Sequence, residues 1–287
     1  MARIYEDPSK TSENRLPPGA YYIPEVRSEY HLLNGTWRFT YFEREKEAPE
    51  NIECWDAIPV PSCWQLQGYE NPNYSNINYP FPCDQPYVPD ENPCGIYERD
   101  FTLERLWGRV YFVLEGVSSC AFVSLNGTSV GFTQGSRLQA EFDLTPYVCE
   151  GHNTLRVKVL KWCCGSYLED QDAFRYSGIF RDCYLLQRPE GHITDVDVRT
   201  DGNRIMVQTD CAADVSAYDP SGRLLGSVQN TQNAEITIDT PVFWNAEQPY
   251  LYTVKLERNG EIITQKTGLR TIAVSEKREL LINGVPV

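Results

Sequence analysis

Residues 121–133 read AFVSLNGTSVGFT, two β-rich runs on either side of Asn126-Gly127. Asn-Gly between such runs is the strongest short-range signal for a two-residue hairpin turn, because both residues tolerate positive φ angles. The stretch therefore predicts a β-hairpin with strands at Ala121–Leu125 and Ser129–Thr133.

Similar strand-like runs precede and follow this hairpin, and turn signals such as Asn34-Gly35 and Glu150-Gly151 separate them. The further runs are Thr36–Phe42, Ile96–Leu103, Arg109–Leu114 and Leu155–Leu160. No amphipathic helix of ten or more residues stands out, which argues against a β/α barrel, a fold of ~250 residues with alternating strands and helices. Many short strands at regular spacing predict an all-β sandwich.

A second set of strands follows a linker-like stretch at Leu186–His192. The strands are predicted at Ile193–Val198, Arg204–Gln208, Ala213–Asp219, Ala234–Ile238, Tyr250–Arg258, Glu261–Thr267 and Thr271–Val274. About seven strands in about 85 residues are typical of an immunoglobulin-like sandwich. A short hairpin with Asn283-Gly284 at its turn follows them.

Length and charge exclude several classes of function. The 287 residues are enough for about two domains. The chain carries 26 Lys and Arg against 40 Asp and Glu, a net charge of −14. Because phosphate-rich surfaces attract basic faces, this excess of acid argues against binding to nucleic acid or to an anionic membrane.

No apolar run approaches the ~18 residues of a membrane span, and Met1–Pro8 lacks the apolar core of a signal peptide. The ten cysteines show no C-x-x-C spacing. We therefore expect reduced thiols in a cytoplasmic protein.

Three carboxylates, Glu169, Asp170 and Asp172, fall within four residues and precede Arg175 and Arg181. Carboxylates this close repel one another, so they need a cation, arginine partners or hydrogen-bond donors. Two interpretations are open: a site for a polyol or a cation, or an exposed acidic turn held by the two arginines. We do not expect catalysis here, because neighbours in sequence seldom straddle a substrate as a glycosidase's carboxyl pair does.

No other pattern predicts a catalytic residue. His31, His152 and His192 lie far apart in sequence and outside any metal-ligand spacing. The chain has no G-x-S-x-G motif and no glycine-rich phosphate loop before a helix. The long loop Tyr69–Pro93, with four tyrosines and many side-chain amides, is predicted to be functional.

The acidic segment Ser166–Asp172, with Arg175 and Ser177–Asp182 after it, closely resembles the signature of the large bacterial β-galactosidases of glycoside hydrolase family 2. Further segments resemble that family in the same order and extend the resemblance over nearly the whole chain. They are Asn14–Pro18, Leu33–Phe39, Val60–Gln65, Tyr74–Pro80, Pro89–Pro93, Gly135–Arg137, Glu141–Leu144, Phe243–Tyr252 and Gly268–Arg270.

The resemblance implies a domain order. It places an N-terminal arm at 1–34, a jelly-roll sugar-binding β-sandwich at 35–187, an immunoglobulin-like β-sandwich at 188–276 and the start of a missing β/α barrel at 277–287. In the family, both catalytic glutamates and the main magnesium ligands lie on that barrel. We therefore expect the chain alone to be inactive, and the full-length enzyme to use magnesium and sodium.

Two substrate-binding residues are implied by the same resemblance. Asn76 matches a family asparagine whose amide contacts the galactosyl group, and Asp172 matches an aspartate that binds sugar hydroxyls and, with the barrel, helps to hold sodium. Full-length, the enzyme would hydrolyse terminal β-D-galactosides such as lactose with retention. The related β-glucuronidases share the architecture but lack the Tyr-Leu-Glu-Asp-Gln-Asp run, which favours a galactoside.

Two other functions fit these residues: a stand-alone carbohydrate-binding module, and a partner that complements a barrel-containing chain. The expected partners are a β-galactoside, the catalytic barrel and, in the full-length enzyme, further copies in a homo-oligomer. Residues 1–34 would serve as an interface arm there.

Overall fold

The computed structural model of the protein describes residues 3–74, 79–169 and 172–287. Over these residues the chain forms β-strands and short 3-10 helices and no α-helix, which confirms the all-β prediction. The 3-10 helices are Ile4–Glu6, Glu45–Glu47, Trp64–Gln67 and Cys164–Tyr167. In the same part of the chain no helix is long and apolar enough to cross a membrane.

The chain divides into two compact units, each formed by two stretches of sequence. The first contains Met1–Pro18 and Glu29–Gln187, and the second contains Gly19–Ser28 and Arg188–Val287. The residues expected to form an N-terminal arm, 1–34, are thus shared between the two units.

The first unit is a sandwich of antiparallel strands. In chain order these are β1 (Ser12–Glu13), β2 (Glu29–Leu32), β3 (Gly35–Phe42), β4 (Asp56–Val60), β5 (Cys94–Leu103), β6 (Arg109–Leu114), β7 (Val117–Ser118), β8 (Cys120–Leu125), β9 (Thr128–Gln134), β10 (Ala140–Asp143), β11 (Gly151–Leu160), β12 (Gly178–Ile179) and β13 (Cys183–Arg188). One sheet has the order β1-β9-β8-β11-β5-β3-β4, a second has the order β10-β6-β13-β2, and β7 pairs with β12. A single buried cluster joins Phe39, Tyr97 and Val157 of the larger sheet to Phe112 and Leu185 of the smaller one.

The hairpin at 121–133 forms as its sequence predicts. Asn126 and Gly127 have φ angles of 51° and 79°, and Leu125 pairs with Thr128 across the turn. Val123 and Leu125 are buried while the residue between them is only partly buried, which is the alternation of a strand with one face on a core.

The register between β5 and β11 brings two long connections together. The connection 61–93 ends where β5 begins at Cys94, and the connection 161–177 begins where β11 ends at Leu160. Cys94 and Leu160 are paired across the two antiparallel strands. Both connections therefore leave the sandwich at the same end of these two strands.

The second unit contains one five-stranded and one three-stranded sheet. Its strands are β14 (Val196–Asp201), β15 (Arg204–Tyr218), β16 (Leu224–Thr237), β17 (Tyr252–Arg258), β18 (Glu261–Thr267), β19 (Ile272–Val274), β20 (Leu280–Ile282) and β21 (Val285–Pro286). The larger sheet has the order β14-β15-β17-β18 with β16 also paired to β15, and the smaller has the order β19-β20-β21.

The predicted strands Arg204–Gln208 and Ala213–Asp219 lie largely within one continuous strand, β15. Its pairing with β16 shifts register between Gln208 and Ala213. Ile205 from the first half and Val215 from the second half belong to one buried cluster, so both halves of the strand serve the same core.

The segment Gly19–Ser28 packs on the second unit although it precedes the first unit's main strands. The backbone amide of Glu25 donates to the carbonyl of Ile262 over 2.8 Å. The hydroxyl of Tyr22 donates to the carbonyl of Ile193 over 2.7 Å. No local sequence pattern predicts this placement.

Candidate functional site

A buried asparagine joins the two connections close to the ends of β5 and β11, where they leave the sandwich. The Asn92 side-chain amide donates to the carbonyl of Trp162 over 2.8 Å, and its oxygen accepts from the Trp162 amide over 2.9 Å. The Lys161 amide also donates to the carbonyl of Pro93 over 2.9 Å. The C-terminal end of the predicted functional loop is thus fixed to the other connection.

Two tyrosines form a second set of contacts between the same connections. Tyr79 and Tyr167 stack with their ring centroids 5.3 Å apart. The Tyr79 hydroxyl donates to the carbonyl of Ser166 over 2.9 Å, and the Tyr167 hydroxyl donates to the carbonyl of Tyr87 over 2.6 Å. Each connection therefore supplies a tyrosine whose hydroxyl donates a hydrogen bond to the backbone of the other connection.

A third junction lies at Tyr74. An isolated β-bridge links Tyr74 to Phe174, and the Arg175 amide donates to the carbonyl of Asn73 over 2.8 Å. The predicted substrate-binding residue Asn76 lies outside the described residues. Its role stays a prediction.

The other predicted substrate-binding residue, Asp172, is an exposed carboxylate at this junction. The Tyr74 hydroxyl donates a hydrogen bond to its Oδ1 atom. This hydrogen bond raises the pKa of Tyr74 above its usual value of 10. Rings extend the junction, because Tyr74 lies 5.4 Å from Phe174 and Phe174 stacks on Tyr176 at 5.3 Å.

Glu169 has different contacts from Asp172. Its two carboxylate oxygens accept from the amide and the hydroxyl of Ser136, over 2.7 and 2.6 Å. Arg175 donates from Nη1 to the carbonyl of Glu169 over 3.0 Å, whereas Arg181 donates to the carbonyls of Arg137 and Glu115. Of the two arginines considered as clamps for the acidic turn, Arg175 makes this contact.

The three acidic residues therefore do not form one cluster in the described structure. Glu169 is a clamp inside the unit and Asp172 faces solvent with its own donor. Asp170 lies outside the described residues. The contacts of Glu169 fit a carboxylate that supports the turn. For Asp172, the interpretation as part of a polyol or cation site stays a prediction.

A cavity of about 390 Å³ lies beside this junction, within the first unit. Its walls include aromatic rings, serine hydroxyls and four charged side chains: Trp162, Phe174, Tyr176, Phe180, Ser118, Ser119, Ser136, Arg137, Lys161, Glu169 and Arg175.

Sequence analysis missed the buried ion pair in that wall. Lys161, only 5% exposed, bonds to Glu70, and Glu70 also accepts from the Trp64 indole over 3.0 Å and from Gln65 over 2.8 Å. The available signal was a lysine directly after the apolar end of a strand, since a buried lysine needs a partner.

The described residues hold no group of three or more His, Cys, Asp or Glu that could bind a metal ion. All ten cysteines lie in described parts of the chain and are free. His192 is buried.

Family comparisons cover most of the chain. Residues 30–189 match the family described as glycosyl hydrolases family 2, sugar binding domain. Residues 192–270 match the family described as glycosyl hydrolases family 2.

Curated relatives are similar over the whole chain. It is 38% identical to a β-galactosidase of Actinobacillus pleuropneumoniae, over 100% of this chain and 31% of that protein. It is 37% identical to a β-galactosidase of Staphylococcus xylosus, over 94% of this chain and 30% of that protein. The chain thus spans less than a third of the length of either relative.

Solved structures share the fold. A β-glucuronidase of an uncultured Clostridium superposes with a TM-score of 0.72 at 25% identity, over 94% of this chain and 49% of that chain. A β-glucuronidase of Faecalibacterium prausnitzii superposes with a TM-score of 0.75 at 19% identity, over 93% of this chain and 50% of that chain. The likeness to the second structure concerns the fold alone.

Proposed function

This chain belongs to glycosyl hydrolases family 2, and we propose that it forms the non-catalytic N-terminal domains of a retaining β-galactosidase that acts on terminal β-D-galactosides of the lactose type. Its own part in that reaction is to complete one wall of the galactosyl subsite. Positioning of this kind lowers a barrier without making or breaking a bond.

The observation that carries the proposal is the setting of Asp172. Its carboxylate is exposed, holds one hydrogen bond from Tyr74, and lies on a loop with the exposed ring of Phe174. A carboxylate can accept from neighbouring sugar hydroxyls while an aromatic face covers the C–H surface of the ring. Asn76, carried over from the family resemblance, would add an amide to the same subsite.

Charge favours a galactoside over a glucuronide. A glucuronide carries a carboxylate, which the exposed Asp172 would repel, whereas a galactoside is neutral. The curated relatives at 37–38% identity are β-galactosidases, while the solved β-glucuronidases share 19–25% identity with the chain. The higher identity to the β-galactosidases supports the neutral sugar.

Catalysis is assigned to the part of the enzyme beyond this chain. Both carboxylate oxygens of Glu169 accept from Ser136, which fits a supporting role for this side chain. In our proposal the two catalytic glutamates and the magnesium ligands belong to the barrel. Asp172 can supply one oxygen ligand, of the type that hard cations prefer, to a sodium ion whose other ligands come from the barrel.

Ten free thiols support a cytoplasmic location, since disulfides persist mainly in oxidising compartments. The homo-oligomeric state of the complete enzyme is a further part of the proposal. Sedimentation of the active complex measures this oligomeric state.

The test of this proposal combines the chain with the missing part of a related enzyme. The pure chain is combined with the part of the A. pleuropneumoniae β-galactosidase outside the segment that aligns with this chain, both as a mixture and as one fused chain. Release of nitrophenol from a chromogenic galactoside and from the matching glucuronide is measured. The relative's own aligned segment is the positive control.

We expect no hydrolysis by the pure chain, and galactoside hydrolysis in the mixture or the fusion. Hydrolysis by the pure chain, free of host enzyme, would overturn its non-catalytic role. If the relative's own segment restores activity and this chain does not in either format, its role in the subsite is wrong. Micromolar affinity of the chain alone for galactose in calorimetry would favour a stand-alone binding module.

A further inference from the structure

The junction between the two connections is built around one tyrosine. Tyr74 belongs to the β-bridge with Phe174, and the bond from the Arg175 amide to the Asn73 carbonyl extends that pairing by one residue. The backbone of Tyr74 is therefore held against the segment that carries Asp172. Its ring is held as well, since it packs 5.4 Å from Phe174.

From this fixed position the Tyr74 hydroxyl donates to Oδ1 of Asp172. Among the residues that the structure describes, it is the one hydrogen-bond donor to that carboxylate. An exposed aspartate without a donor samples several rotamers, and ordering it on binding has an entropic cost. A donor that is already in place removes much of that cost.

We propose that Tyr74 is the positioning residue that fixes Asp172 for its ligand. The inference rests on the proposed function, in which Asp172 contacts the galactosyl group or its sodium ion. Tyr74 occupies Oδ1 and leaves Oδ2 to the ligand.

The chemical type of the donor matters. An arginine partner would orient the carboxylate equally well, but it would also neutralise the charge that attracts hydroxyl donors and cations. A phenol orients Asp172 and leaves its negative charge in place. Among the described contacts, Arg175 donates to the carbonyl of Glu169, Arg181 donates to the carbonyls of Glu115 and Arg137, and neither bonds to Asp172.

The first test measures the pair itself in the 287-residue chain. Aspartate is labelled with ¹³C at the carboxyl carbon, and spectra are recorded at neutral pH; the Asp172→Asn variant identifies the Asp172 signal. Tyr74→Phe keeps the ring against Phe174 and removes the donor, so we expect the Asp172 signal to shift. Tyr87→Phe is the matched control, because Tyr87 is exposed in the same loop and its hydroxyl has no partner among the described residues.

The second test measures the consequence in the completed galactosidase. We expect Tyr74→Phe to raise KM about tenfold with little change in kcat, the loss typical of one hydrogen bond to a charged group. Because Tyr74 acts through Asp172, Tyr74→Phe should add nothing further in an Asp172→Asn background. Tyr87→Phe should leave both constants unchanged.

The outcomes separate this inference from the proposed function. An unshifted Asp172 signal in Tyr74→Phe overturns the positioning role and leaves the proposed function standing. A rise in KM for Asp172→Asn but not for Tyr74→Phe does the same. If Asp172→Asn leaves KM unchanged, the proposed role of Asp172 is wrong and the inference fails with it.

Discussion

Arg188 and Glu261 form a doubly hydrogen-bonded ion pair in the interior of the second unit, with Nε and Nη2 of the guanidinium 2.8 and 2.7 Å from the two carboxylate oxygens. Both side chains are almost fully buried. The guanidinium also lies over the ring of Tyr22 and donates to the carbonyl of Ile193, so the pair fastens the early segment Gly19–Ser28 to the core of this unit.

Replacing Glu261 by leucine should lower the free energy of unfolding of the second unit by about 3–5 kcal/mol, because it leaves the Arg188 charge buried without its partner. The double variant Arg188→Met/Glu261→Leu should regain most of the loss. Urea denaturation measures both. The exposed Arg204–Asp201 pair is the control, since Asp201→Asn should change stability by no more than ~1 kcal/mol. Equal effects for Glu261→Leu and Asp201→Asn would contradict the prediction.

Gly131 makes room for the N-terminal strand of the first unit. A Cβ atom at Gly131 would overlap the carbonyl oxygen of Glu13, which pairs with Phe132. We expect Gly131→Ala to cost about 1–3 kcal/mol through overpacking and to release residues 3–18 to proteases. Limited proteolysis followed by mass spectrometry measures the release. Ser129→Ala, an exposed change on the same strand, should leave these residues protected.

Buried His192 should make the second unit sensitive to mild acid. Burial, and then the positive charge of Arg188, lower the pKa of His192 below its usual value of 6.5. The unfolded chain therefore takes up a proton before the folded chain does. This part of the stability is complete above about pH 6.5 and is lost as the pH falls below it. Unfolding free energies at pH 7.5 and 5.5 should differ more for the wild type than for His192→Gln, and equal differences would refute the assignment.

The clamp between Ser136 and Glu169 should set the order of the acidic loop. Ser136→Ala removes one of two donors to a carboxylate, and such bonds contribute about 1.5–3 kcal/mol. We expect faster hydrogen exchange at the amides of Leu168 and Glu169, which bond to the carbonyl of Gly165. Exchange in Ser136→Ala as slow as in the wild type would show that the clamp is unimportant.

Thiol reactivity should follow exposure. Cys54, Cys83 and Cys149 are exposed and should react first with a disulfide reagent. The four buried cysteines, Cys94, Cys120, Cys163 and Cys183, should react only on unfolding. Burial raises the pKa of Cys94 and Cys183 to about 12, which also suppresses the reactive thiolate. Fewer than ten thiols titrating in the unfolded, unreduced chain would reveal a disulfide.

The local signals in the sequence were sufficient for the class of fold. The alternation in β8 and β9 and the turn at Asn126-Gly127 depend on neighbours along the chain, so a short stretch contains what is needed to predict them. The register shift inside β15 is different. Arg204–Gln208 and Ala213–Asp219 are separated by polar residues and therefore suggest two strands. The structure has one strand there, and β16 pairs with it on both sides of the register shift.

The candidate site divides in the same way. Asp172 was predicted from the sequence because a long motif resembles a known family, and that motif is contiguous. Its donor, Tyr74, lies 98 residues earlier in the chain, and no sequence pattern indicates that the two side chains meet. The Glu169–Ser136 clamp spans 33 residues and could not be distinguished from a ligand site by sequence alone.

By itself the sequence therefore determined the all-β class, most of the strands and the family, since each depends on local pattern or contiguous motif. The tertiary structure decided which carboxylate is a clamp and which faces solvent, and which tyrosine holds it. The physical reason is the register of β5 and β11. The pairing of Cys94 with Leu160 brings two connections that are distant in sequence to the same end of the sandwich. A contact that depends on the pairing of strands far apart in sequence leaves no signal in either strand alone.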